Sequence, residues 1–182
     1  MLGTVEQRQE VGRHAVAGIH HVGITVADLE RSLEFYASVL GLPVIAVSEP
    51  EEVGSVVGVP GARARFADLD AGNGQVLELA EYETRGRAET PGDRGSPRDV
   101  SQAGSSHVSL VVGDLAATLE SLADQGTQPI GATAQLSGGI WDGCSVVYLR
   151  DPDGMVVELL ERGRDDSADT PADVPAQTQR DG

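Results

Sequence analysis

Two short stretches of the chain alternate apolar with polar or small residues, as a half-buried β-strand does. The first runs over Ile19–Val26 and the second over His107–Val112. An aspartate and a series of leucines with helical spacing follow each stretch, so each strand is predicted to lead into an amphipathic helix. Asp28 and Asp114 are the expected N-caps, because an aspartate side chain accepts hydrogen bonds from the first N–H groups of a helix.

Each helix is predicted to end at a glycine and to be followed by three strands. Gly41 and Gly126 are the expected C-cap residues. The strand candidates are 44–48, 62–69 and 75–81 in the first half, and 128–134, 145–149 and 155–160 in the second. The residues Asp151-Pro152-Asp153-Gly154 are typical of a hairpin turn. Each half is therefore predicted to be a βαβββ unit.

The two halves repeat one pattern. His21 and His107 stand 86 residues apart, and Val, Asp and Leu residues recur after them at the same spacing. Later in each half a glutamate interrupts an apolar strand, at Glu78 and at Glu158. A fixed internal period indicates two copies of one supersecondary unit. The predicted fold class is α+β, with paired βαβββ modules.

Strand alternation places the histidines and glutamates on one kind of face. Successive side chains of a strand point to opposite faces, so Leu77 and Leu79 lie opposite Glu78. The aliphatic face is expected to carry the helices, and the mixed face to line a cavity. Two imidazoles and two carboxylates suit a divalent metal ion. The predicted metal ligands are His21, Glu78, His107 and Glu158.

His20 adjoins His21 and needs a separate interpretation. Alignment with the single His107 selects His21 as the ligand. By alternation, His20 either points to the helix-covered face or lies in solvent at the start of the strand.

Composition divides the 182 residues into two modules and three polar segments. The predicted segments are a flexible N-terminal arm at 1–17, a first module at 18–82, a linker at 83–105, a second module at 106–162 and a disordered acidic tail at 163–182. The tail has almost no large apolar side chain, so it cannot bury enough surface to offset the entropy of ordering.

The charge excludes several classes of function. A net charge of −16 argues against binding a nucleic-acid backbone, which needs basic patches. All 13 cationic side chains are arginine, so lysine Schiff-base chemistry is excluded within this chain. No apolar run is long enough to span a membrane, and residues 1–17 lack the apolar core of a signal peptide.

The single cysteine, Cys144, cannot form an internal disulfide. We therefore expect a reducing, cytoplasmic location. Cys144 is interpreted as a small buried residue rather than as a nucleophile.

Several motifs together resemble the vicinal oxygen chelate superfamily, which includes glyoxalase I, epimerases, extradiol dioxygenases and bleomycin-resistance proteins. They are His21-Val22-Gly23-Ile24-Thr25-Val26-Ala27-Asp28-Leu29, Phe35-Tyr36, Leu40-Gly41 and Asp151-Pro152-Asp153-Gly154. The resemblance implies a cupped mixed β-sheet around one divalent ion of Ni, Co, Mn, Zn or Fe, which the substrate chelates through oxygen. The family's ligand positions fall on His21, Glu78, His107 and Glu158.

The resemblance implies a metal-dependent isomerase, epimerase or glyoxalase-type lyase. Such an enzyme removes a proton next to a metal-chelated carbonyl of a small polar substrate, for which a sugar-derived cyclic ketone is a candidate. Glu158 is the first choice for the base, Glu78 the second, and the acidic stretch 49–52 the third. An antibiotic-binding resistance protein and a non-haem dioxygenase are the alternatives.

Two further residues are candidates for substrate binding. Trp141 lies in a glycine-rich loop that is suited to a lid or a pocket wall, although packing in the core is the alternative. Arg65 would meet an anionic or polyhydroxylated substrate, or pair with a surface carboxylate. A homodimer is expected, because these modules leave sheet edges and apolar faces to cover.

Overall fold

The computed structural model describes residue 16 and residues 18–83 and 100–163. The predicted arm, linker and tail lie mostly or wholly outside these residues. The strands are His21–Val26 (β1), Val44–Val47 (β2), Glu51–Glu52 (β3), Arg63–Asp70 (β4), Val76–Glu83 (β5), His107–Val112 (β6), Ala134–Gln135 (β7), Ser145–Arg150 (β8) and Val156–Glu161 (β9). The helices are Leu29–Leu33 (α1), which continues as a π-helix over Glu34–Val39, Gly54–Val57 (α2), Leu115–Asp124 (α3) and a 3₁₀ turn at Gly139–Trp141. Among the helices that the structure describes, none has the length and apolar character needed to cross a membrane.

Packing divides the chain into two compact units. Among the described residues, the first unit comprises 16, 18–29 and 42–83, and the second comprises 30–41 and 100–163. The helical segment 30–41 comes from the first half of the sequence but packs with the second unit. The module boundaries at 18–82 and 106–162 therefore stay predictions.

Each unit contains one mixed β-sheet with the same strand order. The first sheet runs β1-β5-β4-β2, with β3 also paired to β4, and the second runs β6-β9-β8-β7. β1 lies parallel to β5 in the first sheet, and β6 lies parallel to β9 in the second. The other pairs are antiparallel. The predicted α+β class is confirmed.

The predicted N-cap of the second helix and the glycines predicted to end both helices are confirmed. Asp114 accepts a hydrogen bond of 2.9 Å from the backbone N–H of Ala117, and thereby caps α3. Gly126 follows α3 with a φ of 80°, and Gly41 follows the π-helix with a φ of 78°. In this left-handed region glycine avoids the steric cost of a Cβ atom.

One strand prediction was wrong, and one short strand was missed. Of the predicted strand 128–134, only Ala134 belongs to β7, and Pro129 makes a single bridge to Leu149. Proline has no N–H to donate to a ladder, so regular pairing does not continue through it. The short strand Glu51–Glu52, at the end of the acidic stretch 49–52, pairs with β4 and was not among the predicted strands.

A buried hydrogen bond joins the segment 30–41 to the hairpin of β8 and β9. The Tyr36 hydroxyl, which is 0% exposed, donates to Asp151 Oδ2 at 2.9 Å. Asp151 Oδ1 also accepts the backbone N–H groups of Asp153 and Met155. Burial raises the pKa of Asp151 above its usual value, although these hydrogen bonds oppose the shift. A second contact, the ion pair of Arg31 with Asp153, lies at the same turn.

We predict that Tyr36→Phe lowers the free energy of unfolding by about 1 to 3 kcal/mol, because it removes a hydrogen-bond donor from a buried carboxylate. Urea denaturation at neutral pH measures this loss. Tyr82→Phe is the matched control and should change stability by less than about 0.5 kcal/mol. Equal effects of the two substitutions would contradict the importance of the Tyr36–Asp151 bond.

The same tyrosine predicts a dependence on alkaline pH. Burial, followed by the charge of Asp151, raises the pKa of Tyr36 far above its usual value. Above about pH 10 an unfolded tyrosine loses its proton while folded Tyr36 keeps it, so the folded state binds more protons and stability falls as pH rises. The slope for this one proton is about 1.4 kcal/mol per pH unit. Denaturation curves from pH 9 to 11 should show a shallower decline for Tyr36→Phe than for wild type, and identical slopes would be the contrary result.

Candidate metal centre

In the first unit, strand pairing brings His21 and Glu78 to one face of the sheet. The parallel register sets Gly23 beside Glu78, and His21 lies two residues before Gly23 on the same side. His21 Nε2 lies 3.9 Å from Glu78 Oε1. A Cβ at Gly23 would lie 3.4 Å from that same oxygen, so the glycine leaves room for the carboxylate.

The second unit repeats this arrangement at the same register. Ser109 lies beside Glu158, and His107 again precedes it by two residues on the same face. His107 Nε2 lies 3.1 Å from Glu158 Oε2, and the Glu158 side chain is 12% exposed. The opposite faces carry buried Leu110 and Leu159, so the predicted alternation is confirmed.

Each pair has a spacing and a chemistry that fit a divalent ion. Two ligands at about 2.1 Å from an ion are about 3.0 Å apart at right angles and about 4.2 Å apart across it. The two observed nitrogen–oxygen separations, 3.1 and 3.9 Å, both fall between these values. Imidazole and carboxylate donors suit first-row transition metals. Among the described residues of either unit, no third His, Cys, Asp or Glu completes such a group, so the four-residue set stays a prediction.

Tyr148 contacts this pair and was not identified from the sequence. It lies beside Glu158 in the antiparallel register of β8 and β9, and its ring meets the edge of the His107 ring at 5.4 Å between centroids. Burial, then a hydrogen bond to Glu158, raises the pKa of the Tyr148 hydroxyl. The corresponding position beside Glu78 is Asp68. The signal in the sequence was the one hydroxyl-bearing residue within the otherwise aliphatic run 146–149.

Arg65 lies on the other face of the first sheet. It pairs in register with Glu81, on the side of Leu77 and Leu79, and its Nε lies 2.5 Å from Glu81 Oε2. Of the two interpretations of Arg65, pairing with a carboxylate is the one that this geometry supports. Its role in substrate binding stays a prediction without structural support.

The remaining candidates differ in exposure. Trp141 is 51% exposed, so it does not pack in the core, and its role in binding stays a prediction. Glu52 accepts the backbone N–H of Gly54 at 3.1 Å. Cys144 is buried against Val146, as expected of a small core residue.

Comparison with known proteins agrees with the resemblance. Residues 18–159 match the Glyoxalase/Bleomycin resistance protein/Dioxygenase superfamily, and the chain belongs to this superfamily. It is 32% identical over 155 residues to a 2-epi-5-epi-valiolone epimerase from Actinomyces sp. The aligned region covers 82% of this chain and 81% of the relative. It is 25% identical over 143 residues to a probable lactoylglutathione lyase of Vibrio parahaemolyticus. That aligned region covers 79% of this chain and 89% of the relative.

A solved structure shows the same fold. The crystal structure of a glyoxalase family protein from Bacillus cereus superposes with a TM-score of 0.69, and the match covers 84% of this chain and 98% of that one. At 19% identity, this likeness is one of fold alone.

Proposed function

We propose that the protein is a metal-dependent isomerase or epimerase that moves a proton next to a carbonyl group of a small polar substrate. The observation that carries the proposal is the His–Glu pair that recurs in both sheets at one register. Solvated surface residues have no reason to repeat in this way. The relatives named as an epimerase and as lyases support the same kind of chemistry.

The proposed ligand set combines the two pairs. His21 and Glu78 supply one half, and His107 and Glu158 supply the other. The metal would be Ni, Co, Mn, Zn or Fe, the divalent ions that accept mixed imidazole and carboxylate ligands. When bound, it supplies Lewis-acid chemistry, which polarises a carbonyl and lowers the cost of negative charge on its oxygen.

Glu158 is the proposed base. Its carboxylate takes the proton from the carbon next to the substrate carbonyl, and returns it to complete an isomerisation. The hydrogen bond from Tyr148 and the low exposure of the side chain support this choice, because they restrict the conformations of the carboxylate. Epimerisation returns the proton to the opposite face of that carbon. Glu78, in the equivalent position of the other sheet, is the proposed donor for that face.

A sugar-derived cyclic ketone is the proposed substrate class. The 32% identity to an enzyme named for epimerising a valiolone supports it over most of both chains. The net charge of −16 also disfavours a polyanionic substrate. A glyoxalase-type lyase is the second candidate, favoured by the similarity to probable lactoylglutathione lyases.

A second copy of this chain is the proposed partner. The strand β2 lies at the end of its sheet and exposes Val44, Ile45 and Val47. An exposed apolar edge strand is normally covered. No nucleic-acid or membrane partner is proposed.

His107→Ala should remove most of the bound metal and abolish activity, because one ligand of four is lost. His21→Ala should be similarly damaging, since each unit contributes an equivalent pair. Metal content by mass spectrometry of the purified variants measures both effects. Thr25→Ala, on the same face of β1, is the control and should keep a full equivalent. A full equivalent in either histidine variant would disprove the role of that residue as a ligand.

Glu158→Gln should keep the fold but abolish exchange of the substrate α-proton with solvent, because an amide is too weak a base. The exchange is followed by proton NMR in deuterated water with a panel of cyclic polyhydroxy ketones. Glu120→Gln, on the exposed surface of α3, is the matched control and should exchange as wild type does. Exchange at the wild-type rate in Glu158→Gln would move the base elsewhere, to Glu78 or to residues 49–52.

A further inference from the structure

The ring of His20 contacts that of His21 at the start of β1. The two Nδ1 atoms lie 2.9 Å apart, and the rings meet edge to face with centroids 5.2 Å apart. His20 is exposed, as expected of a residue at the start of the strand. Exposure alone does not explain why its ring nitrogen is turned towards that of its neighbour.

A nitrogen–nitrogen hydrogen bond at this distance requires one N–H and one lone pair. The other ring nitrogen of His21, Nε2, is the atom that faces Glu78. A histidine that binds a metal through Nε2 must carry its proton on Nδ1, and the partner of that N–H fixes the tautomer and the direction of the ring. Only one assignment satisfies both conditions: His21 Nδ1–H donates, and His20 Nδ1 accepts.

We infer that His20 is a positioning residue for His21: it holds His21 in the Nδ1–H tautomer and leaves Nε2 free to bind a metal ion. The inference rests on the proposed role of His21 as a ligand. It assigns His20 a function that its place next to His21 in the sequence did not indicate.

The second unit provides an internal comparison. The residue before His107 is Ser106, and the ring of His107 contacts the ring of Tyr148 instead. The two histidines of the repeat are therefore held by different contacts. Substitution of His20 should change the tautomer of His21 and leave that of His107 unaltered, which separates a local effect from a general loss of structure.

The tautomer is measured directly on the full-length, metal-free protein. Long-range correlation of ring protons with ¹⁵N at about pH 8.5, where an ordinary imidazole is neutral, distinguishes Nδ1–H from Nε2–H, and His21→Ala assigns the signals. Wild type should show His21 as Nδ1–H. His20→Leu should shift it to a mixture of tautomers, while His20→Asn, whose amide oxygen can accept, should restore part of the Nδ1–H form. The Nε2–H form in wild type, or an unchanged tautomer in His20→Leu, would overturn the inference.

Metal affinity gives a second measurement. Loss of the partner of a ligating histidine typically weakens binding about 10- to 100-fold, so His20→Leu should weaken Zn²⁺ or Co²⁺ binding by that factor in competition with a chelator. Ser106→Ala is the matched control in the other unit and should bind as wild type does.

The two proposals fail in different ways. If wild type binds none of Ni²⁺, Co²⁺, Mn²⁺, Zn²⁺ and Fe²⁺ tightly, the proposed metal-dependent function fails, whatever the NMR shows. If His21→Ala loses the ion but His20→Leu binds it with wild-type affinity, the ligand assignment holds and the role of His20 is disproved.

Discussion

The parallel pairing of β1 with β5, and of β6 with β9, determines where the candidate histidines and glutamates lie. In a strand the side chains alternate with a period of two, so a slip of one residue would move Glu78 or Glu158 to the opposite face. The aliphatic residues fix this register. Leu77, Leu79 and Leu159 are almost completely buried, and burial of each such side chain stabilises the fold by about 1.5 to 3 kcal/mol. The core therefore selects the register, and the register brings each histidine to its glutamate.

A second constraint acts on the strand that carries Glu158. The turn before β9 is held by Asp151, whose carboxylate bonds to two backbone N–H groups and to the Tyr36 hydroxyl. A buried carboxylate is costly unless it is hydrogen-bonded, so the turn and the segment 30–41 stabilise each other. The result is a fixed hairpin in which Tyr148 lies beside Glu158.

Much of this arrangement could be predicted from the sequence, because it depends on local rules. Strand alternation was enough to place His21 and Glu78 on a common kind of face, and the caps Asp114 and Gly126 were recognisable by residue type. What could not be predicted depends on pairing between distant segments. An amphipathic pattern shows that residues 30–41 have an apolar face but not which sheet they cover.

The pairing of Arg65 with Glu81 and the position of Tyr148 beside Glu158 could not be predicted, for the same reason. The register of β4 with β5 determines which face of the sheet Arg65 lies on, and the register of β8 with β9 does the same for Tyr148. Arg65 consequently lies on the face of the sheet away from Glu78, whereas Tyr148 lies beside Glu158. The contact of the His20 ring with that of His21 could not be predicted either, since strand alternation does not determine side-chain contacts between neighbouring residues.

We propose that the repeated His–Glu pairs form one metal centre. A crystal structure of the metal-loaded protein, with anomalous diffraction recorded at the absorption edge of the metal, tests it most directly. The account predicts one anomalous peak per site, about 2.0 to 2.2 Å from the donor atoms of His21, Glu78, His107 and Glu158. A metal ion bound elsewhere, or a protein that binds none when one is offered, would contradict it.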